Sequence, residues 1–576
     1  RMYLDDKFNW FFKKYIKNSK KDIFLILCLI IVGIAISSIG PFLYGQMIDN
    51  ISHKNIYNLK NDMYLYFLIT FFSSLLSLIE AYIGEKMTFK ITNEVKKDLF
   101  SKLLTMKLSN LEKYTTGELI SRLESDAGTI VDYFIDLITS VVLIAFNMAL
   151  SIYFVVMISS GLSMISALYF PINLFITFWF RKRYKKLAID QKKYSDKYFS
   201  FINEVILNIK GIRAFRLEKT ELKRYKTLIR ENFDLLKKSI KTSNKMSIVN
   251  QVITTVFSLT LIYMSAVLIM KGRLTLGNMV AFNTYNDKLF SSISKLFNLN
   301  IGAQNVSICL ERIYNIQEEP DEIDRPYERK NMNLMNEIEF RNVSYSYDQN
   351  NDVLKNINIS LNKNGLYCLV GPNGCGKSTL IKLLIHFYDC KSGYIMFGGR
   401  KIEEIGISEL RERITYISKE PFIMNDTVMN NLTFANPKAK KDEVEEACKR
   451  AGLTDFVKKL PLGYETVLKE GGNSLSSGQK QKMSVARMIL RKSSIYLLDE
   501  LTSDIDGESE KQIMKVIHEM SNNAVVLFIT HKATTLEKET NIFVMNENGE
   551  IVSQGTHDNL INDSIIYRKM FGEENT

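Results

Sequence analysis

Gly371-Pro372-Asn373-Gly374-Cys375-Gly376-Lys377-Ser378-Thr379 follows directly on the apolar run Gly365–Val370 and leads into the helical pattern Leu380-Ile381-x-Leu383-Leu384. The spacing G-x-x-x-x-G-K-S-T, with a strand before it and a helix after it, is what a phosphate-cradling P-loop requires. Its glycines let the backbone wrap round a phosphate chain with the N–H groups turned inward. Lys377 then reaches the β- and γ-phosphates, and the Ser378 hydroxyl is placed to hold Mg²⁺. The motif alone marks a nucleoside triphosphate site.

Downstream, Ile495-Tyr496-Leu497-Leu498-Asp499-Glu500 is an apolar run closed by two acids. A buried strand that delivers carboxylates at its C-terminal end suits Mg²⁺ binding by Asp499 through water. Glu500 would then orient or deprotonate the attacking water. An edge strand with a solvated acidic turn is the blander reading, and the loop upstream weighs against it.

At 576 residues the chain is too long for one core. Its 46% hydrophobic content averages two unlike parts, long apolar runs in 1–315 and a soluble α/β pattern in 335–576. The six cysteines (Cys28, Cys309, Cys368, Cys375, Cys390, Cys448) show no C-x-x-C spacing, so neither a metal site nor a disulfide framework is expected. A net charge of +12 suits nucleic acid or the basic loops of a membrane protein, and its distribution decides between them.

Six apolar stretches approach the roughly 20 residues that a bilayer demands: Ile23–Ile48, Met63–Ile83, Tyr133–Ile158, Leu162–Phe180, Ile248–Met270 and Gly277–Ile301. Only Ser159–Gly161 separates the third from the fourth, which makes a tight hairpin. The lysine- and arginine-rich loops Phe89–Lys113 and Arg181–Lys245 stay inside. Both chain ends and the P-loop are then cytosolic, in a multi-pass plasma-membrane protein. Apolar residues at helical spacing in those loops (Leu99, Leu103; Phe201, Val205) suggest that the membrane helices continue past the bilayer. Phe8, Trp10, Phe11, Phe12 and Tyr15, interleaved with Lys13 and Lys14, suit a helix lying along the inner leaflet. Of the few polar residues in the spans, Asn283–Lys288 is the best candidate for cavity lining. The expected organisation is an elbow helix (1–20), a membrane domain (21–316), a linker (317–334, with Pro320 and Pro326) and a nucleotide domain (335–576). Six bilayer-length stretches contradict a soluble nucleic-acid ATPase.

Leu475-Ser476-Ser477-Gly478-Gln479 opens a further helical pattern and resembles the LSGGQ signature of ABC transporters. The chain looks like a half-size exporter of that family, its membrane domain fused ahead of its ATPase domain. Tyr347 matches the aromatic that stacks on adenine, Glu470 the X-loop acid, Ser503-Asp504-Ile505-Asp506 the D-loop and His531 the switch histidine. Thr116–Leu123 and Gly211–Phe215 are similar to the coupling loops of exporters, and Leu274-Thr275-x-Gly277 to the start of the sixth span.

The resemblance implies an all-α six-helix membrane domain plus an α/β P-loop domain, with ATP and Mg²⁺ as cofactors. Glu500, His531 and Lys377 would carry hydrolysis. ATP would bind between Tyr347, the loop Gly371–Thr379, Lys419, Asp506 and the signature Ser476, Ser477, Gly478 and Gln479 of a second chain. A homodimer is favoured over a heterodimer. The substrate would be a drug, peptide or lipid, carried outward by alternating access. Two departures stand out. Lys419 replaces the usual glutamine and cannot ligate Mg²⁺, though it can reach phosphate or pair with Glu500. Ser477 replaces a signature glycine. Lys419 favours the rival reading, a regulatory or slowly hydrolysing subunit that binds ATP.

Overall fold

The computed structural model describes residues 2–322, 337–348, 351–362, 364–468, 475–502, 505–531 and 540–571. Most of the expected linker, together with Glu470, Ser503 and Asp504, lies outside the described residues. The chain divides into two compact units, Arg1–Met106 with Asn110–Pro320, and Lys107–Ser109 with Asp321–Thr576.

The first unit is helical: α1 (Met2–Phe11), α2 (Lys20–Ser38), α3 (Gly40–Ser52), α4 (Ile56–Thr105), α5 (Ala127–Ile158), α6 (Ser160–Leu207), α7 (Glu218–Met270) and α8 (Leu276–Glu318). Among the described residues, four helical stretches are long and apolar enough to cross a membrane: Asp6–Ser52, Ile56–Thr105, Thr116–Ile158 and Glu218–Met270. The expected stretches Leu162–Phe180 and Gly277–Ile301 are not among those four, although they form parts of the long helices α6 and α8. In α8 the charges of Asp287, Lys288 and Lys295 interrupt the apolar run. Helices α4, α6 and α7 extend far beyond their apolar stretches, as the helical spacing in the basic loops predicts. The motifs similar to coupling loops form short helices, Thr116–Ser121 and Ile209–Ala214.

Short polar side chains set the helix starts. Asn55, Ser159 and Thr275 each accept a hydrogen bond from the backbone N–H three residues on, capping α4, α6 and α8. The Ser159 cap also turns the α5–α6 hairpin. Asp49, in α3, accepts from the Gly277 N–H and the Thr275 hydroxyl, both at 2.8 Å, and so ties α3 to the start of α8. The two backbones touch there, because a Cβ on Gly277 would lie 2.1 Å from the Gly45 carbonyl oxygen. Small residues let membrane helices approach this closely.

At the start of α5 the carboxylate of Asp126 is fully buried. It pairs with Lys192 of α6 and, at 3.4 Å, with Arg312 of α8. Arg312 also holds Asp196 at 3.1 Å, and Arg122 donates to the Arg312 carbonyl at 2.9 Å. Three helices are thus fastened by one charge network.

The N-terminal aromatics are spent differently from the expectation. Phe11, Tyr15 and Ile16 are buried within the unit, and Phe11 stacks on Phe134 with ring centroids 4.9 Å apart. Tyr15 donates to Asp98 and Lys14 pairs with Asp98. Only Phe12 keeps an exposed ring.

The second unit holds two sheets. A four-stranded antiparallel sheet runs in the order β2 (Leu354–Leu361), β1 (Ile338–Tyr345), β4 (Ser392–Phe397), β5 (Arg400–Lys401). A six-stranded sheet runs β10 (Ile551–Gly555), β9 (Asn541–Met545), β3 (Gly365–Val370), β8 (Val525–Ile529), β7 (Ile495–Asp499), β6 (Ile414–Ile417). Its strands are parallel except for β10. Strands β7 and β8 are buried at every residue, the signature of a sheet covered on both faces.

Removing the Asp126 carboxylate would take away the anion paired with Lys192 and leave Arg312 with Asp196 alone. Asp126→Ala should cost about 3–5 kcal/mol, read as a lowered melting temperature of the purified protein in detergent. Asp196→Ala, on the exposed side of the same network, should cost far less.

Candidate functional site

Parallel pairing places the C-terminal ends of β3, β8, β7 and β6 on one edge of the sheet, where ligands bind in open α/β folds. From β3 the chain enters the loop 371–376 and then α9 (Lys377–Leu384). Gly376, just ahead of α9, has φ of 103°, and a Cβ there would strike Leu354 at 2.7 Å. Only glycine satisfies both demands. The Lys377 side chain is buried and folds back over the loop, its Nζ donating to the Gly371 and Pro372 carbonyls at 2.8 Å each. Burial lowers its pKa, opposed by the nearby Cys375, Glu500 and Asp499.

β7 delivers Asp499, buried at the strand end, with Oδ1 lacking a hydrogen-bond partner among the described residues. Burial raises its pKa, and a hydrogen bond with Ser378 opposes that rise. An orphaned carboxylate oxygen beside a hydroxyl on the P-loop fits a hard divalent cation completed by water and phosphate oxygens. Glu500 follows in left-handed backbone, φ 51°, with its N–H donating to Ile529 at 3.1 Å. That conformation costs a non-glycine residue about 1–2 kcal/mol and turns the side chain off the strand axis.

Both Glu500 oxygens are engaged. Oε2 lies 2.6 Å from Lys419 Nζ, beyond the end of β6, and Oε1 lies 2.9 Å from His531 Nε2, beyond the end of β8. Burial pushes the Glu500 carboxyl up, but the pairs with Lys419 and His531 more than offset this and hold it below the usual carboxylate range. Of the two expected uses of Lys419, the structure shows the pair with Glu500.

Tyr347 lies two residues past β1, its ring half exposed and its hydroxyl 3.1 Å from Thr379 Oγ1. Tyr345 and Tyr388 hold that ring edge-on from 5.0 and 5.4 Å, leaving a free aromatic face beside the P-loop. Stacking on a purine needs such a face.

Ser476 caps α10 (Ser477–Arg491): its Oγ accepts from the Gln479 N–H, and Gln479 Oε1 accepts from the Ser476 N–H. Ser477 is exposed in the first turn, next to Gly478, so its side chain meets solvent rather than a neighbour. The first-turn N–H groups suit an anion. Among the described residues, the side-chain hydrogen bonds of Ser476 and Gln479 stay within the helix start, and none joins them to the P-loop of the same chain. Asp506 caps α11 (Gly507–Ser521) through the Ser509 N–H and lies 3.7 Å from Lys482.

Three supporting residues escape sequence reasoning. Asn431, fully buried, accepts from the Met424 N–H and donates to the carbonyls of Met424, Asp426 and Thr427. Arg487 of α10 donates to Asn431 and to the Phe422 carbonyl, and burial lowers it to about 10. Together they fix the segment that follows Lys419. Tyr388 is the third. Neither Arg487 nor Tyr388 carries a local signal, since their partners are distant in sequence, and the bonds Asn431 makes to nearby backbone follow no recognisable motif.

A helical unit with membrane-length apolar helices, followed by a P-loop α/β unit, defines a membrane-bound ATPase. The description "ABC transporter transmembrane region" matches residues 23–293, and "ABC transporter" matches 354–503. The ABC transporter ATP-binding protein YwjA of Bacillus subtilis strain 168 is 30% identical over 86% of this chain and 87% of its own length. The ATP-dependent lipid A-core flippase of Syntrophus aciditrophicus strain SB is 27% identical over 93% of this chain and 89% of its own. The structure of a bacterial Atm1-family ABC exporter with ATP bound superposes with a TM-score of 0.89, at 22% identity, covering 97% of this chain and all of that one. This chain belongs to the ABC transporter family. It is a multi-pass membrane protein of the half-size exporter kind, whose ATPase activity drives transport.

A carboxylate whose pKa is held down contributes stability above its unfolded pKa of about 4.3 and loses it as pH falls through the folded value. Lys419→Gln should therefore melt at a lower temperature than wild type near neutral pH. The gap should close as pH drops below about 4, which differential scanning fluorimetry across pH would show.

Proposed function

We propose that the chain is one half of a dimeric exporter that carries a hydrophobic or amphipathic substrate (a drug, peptide or lipid) from the cytosol or inner leaflet to the outside by alternating access. One observation carries this reading: each chain offers one P-loop, and a signature whose exposed helix start, among the described residues, keeps its side-chain hydrogen bonds within itself. A nucleotide clasped between the two kinds of surface needs a second copy. The basic loops support a cytosolic position for the termini and the ATPase unit.

In this reading Tyr347 stacks on adenine, and the loop N–H groups of 371–376 with Lys377 hold the phosphates. Ser378 and Asp499 hold Mg²⁺, which when bound would neutralise phosphate charge. Lys377 exchanges its loop carbonyls for phosphate oxygens, a step made easier because its ammonium is already desolvated. Glu500 takes a proton from the water attacking the γ-phosphorus, while the bond from that phosphorus to the bridging oxygen breaks and ADP leaves. His531 steers Glu500 and faces the γ-phosphate. Ser476 to Gln479 of the second chain close over the nucleotide, with Asp506 fixing the helix beside them. Closure is favoured because these contacts exist only in the closed state.

A second reading, a slowly hydrolysing or regulatory subunit of a heterodimer, is favoured by one feature. Lys419 occupies one oxygen of the base.

Glu500→Gln should lower steady-state phosphate release in liposomes by about 10²–10³-fold while ATP binding persists. Equal rates in mutant and wild type would overturn the pump. Lys419→Gln should raise turnover several-fold if the pair restrains the base. Native mass of the purified complex should equal two copies of this chain, and an obligatory unlike partner would select the second reading.

A further inference from the structure

The membrane unit carries an open cavity of about 470 Å³ between α2, α4, α5 and α8, mainly apolar in lining but with charged and hydroxylated side chains on its wall. Sequence reasoning looked to Asn283–Lys288, but Tyr285 and Asn286 are buried in packing, with Tyr285 donating to the Ser38 carbonyl at 2.5 Å. Of that group only Lys288 reaches the cavity. Lys295, two helical turns on, joins it on the same face of α8, and Glu80 faces them from α4. Neither Lys295 nor Glu80 figured among the span residues singled out from sequence, although each is a charge inside an apolar stretch.

Two ammonium groups therefore oppose one carboxylate, an excess of one positive charge. Glu80 is within electrostatic reach of Lys295, while Lys288 donates to the Ser37 carbonyl at 3.3 Å and lies 6.0 Å from the centre of the Tyr285 ring. Around these charges the walls are hydroxylated. Ser73 and Ser77 of α4 and Ser291 and Ser292 of α8 all line the space. Each of these hydroxyls donates to a carbonyl of its own helix, so its oxygen lone pairs are left for a ligand's donors. The rest of the wall is apolar, from Leu29, Ile30 and Ile34 of α2 and Leu143 of α5. Ionisable side chains at membrane depth that converge on a cavity mark a pathway or binding site.

We propose that this cavity binds the head of an anionic amphiphile, a phosphate or carboxylate that also carries hydroxyl or N–H donors, with its apolar chain against α2 and α5. The assignment rests on the exporter reading and names the substrate class for it. Lys288 and Lys295 hold the anion, the serines accept from the head's own donors, and Glu80 keeps the lysines apart from each other's field. A cationic head would meet the excess positive charge and be refused.

Binding without ATP tests the cavity separately from hydrolysis. Radiolabelled lysophosphatidylglycerol, with a phosphate and two head hydroxyls, is titrated onto the full chain in nanodiscs. Lysophosphatidylcholine, dodecyltrimethylammonium and free glycerol 3-phosphate serve as competitors. Saturable binding is expected, with weak competition from the choline lipid and none from the cation. The double variant Lys288→Gln/Lys295→Gln should weaken binding by about tenfold or more, and Lys288→Arg/Lys295→Arg should restore it. Elution volume and melting temperature show that both variants fold. Competition by glycerol 3-phosphate as strong as that of the lipid would assign the site to a soluble anion and overturn the amphiphile. Equal binding by the glutamine variant, or equal competition by the cation, would overturn the site. Neither result touches the exporter reading, which fails instead if Glu500→Gln hydrolyses as fast as wild type.

Discussion

Parallel strand order is the constraint on which the nucleotide unit depends. Because β3, β8, β7 and β6 run the same way, their four C-terminal ends arrive together and bring Lys377, His531, Asp499 with Glu500, and Lys419 to one edge. A single reversed strand would send one of these groups to the opposite edge. Placing two acids and three basic groups this close, in partial burial, is costly unless they pair. The pairs seen at 2.6 and 2.9 Å around Glu500 are how that cost is met.

The same pairing sets a tension between stability and chemistry. A carboxylate that accepts from both Lys419 and His531 is well solvated by the protein and correspondingly weak as a base. The left-handed backbone at Glu500 adds strain that the surrounding pairs must hold in place. The glutamine usual in the family would hydrogen-bond without adding charge. If Glu500 is the base of the proposed cycle, the lysine here pairs with it and competes with the water for its lone pairs.

How much of this was legible in the sequence follows from how local each signal is. The P-loop, the strand ending in Asp499 and Glu500, and the capped start at Ser476 are set by residues within a turn or two of each other, and all were readable. The long helices declared themselves through apolar length, and the hairpin at Ser159–Gly161 through the three residues that separate two apolar stretches. Contacts across large sequence separations were not readable. Nothing around Asp126 announces Lys192 or Arg312, and nothing around Asn431 announces Arg487. The N-terminal aromatics misled because an amphipathic pattern is the same whether its apolar side meets lipid or α5. Glu80 and Lys295 were overlooked because an apolar stretch was read by its average, in which one charge hardly registers.

Helix α4 is 50 residues long, about 75 Å at 1.5 Å per residue, and nothing in its sequence interrupts the hydrogen-bond ladder. Helix α6 is of similar length but carries Pro171 inside it. Proline lacks the N–H that would meet the Ala167 carbonyl, and its ring crowds that turn. Force applied at the far end of α4 is passed on as by a stiff rod. In α6 the same force is partly absorbed as flexure near Pro171, so one strut of the pair delivers displacement and the other supplies give.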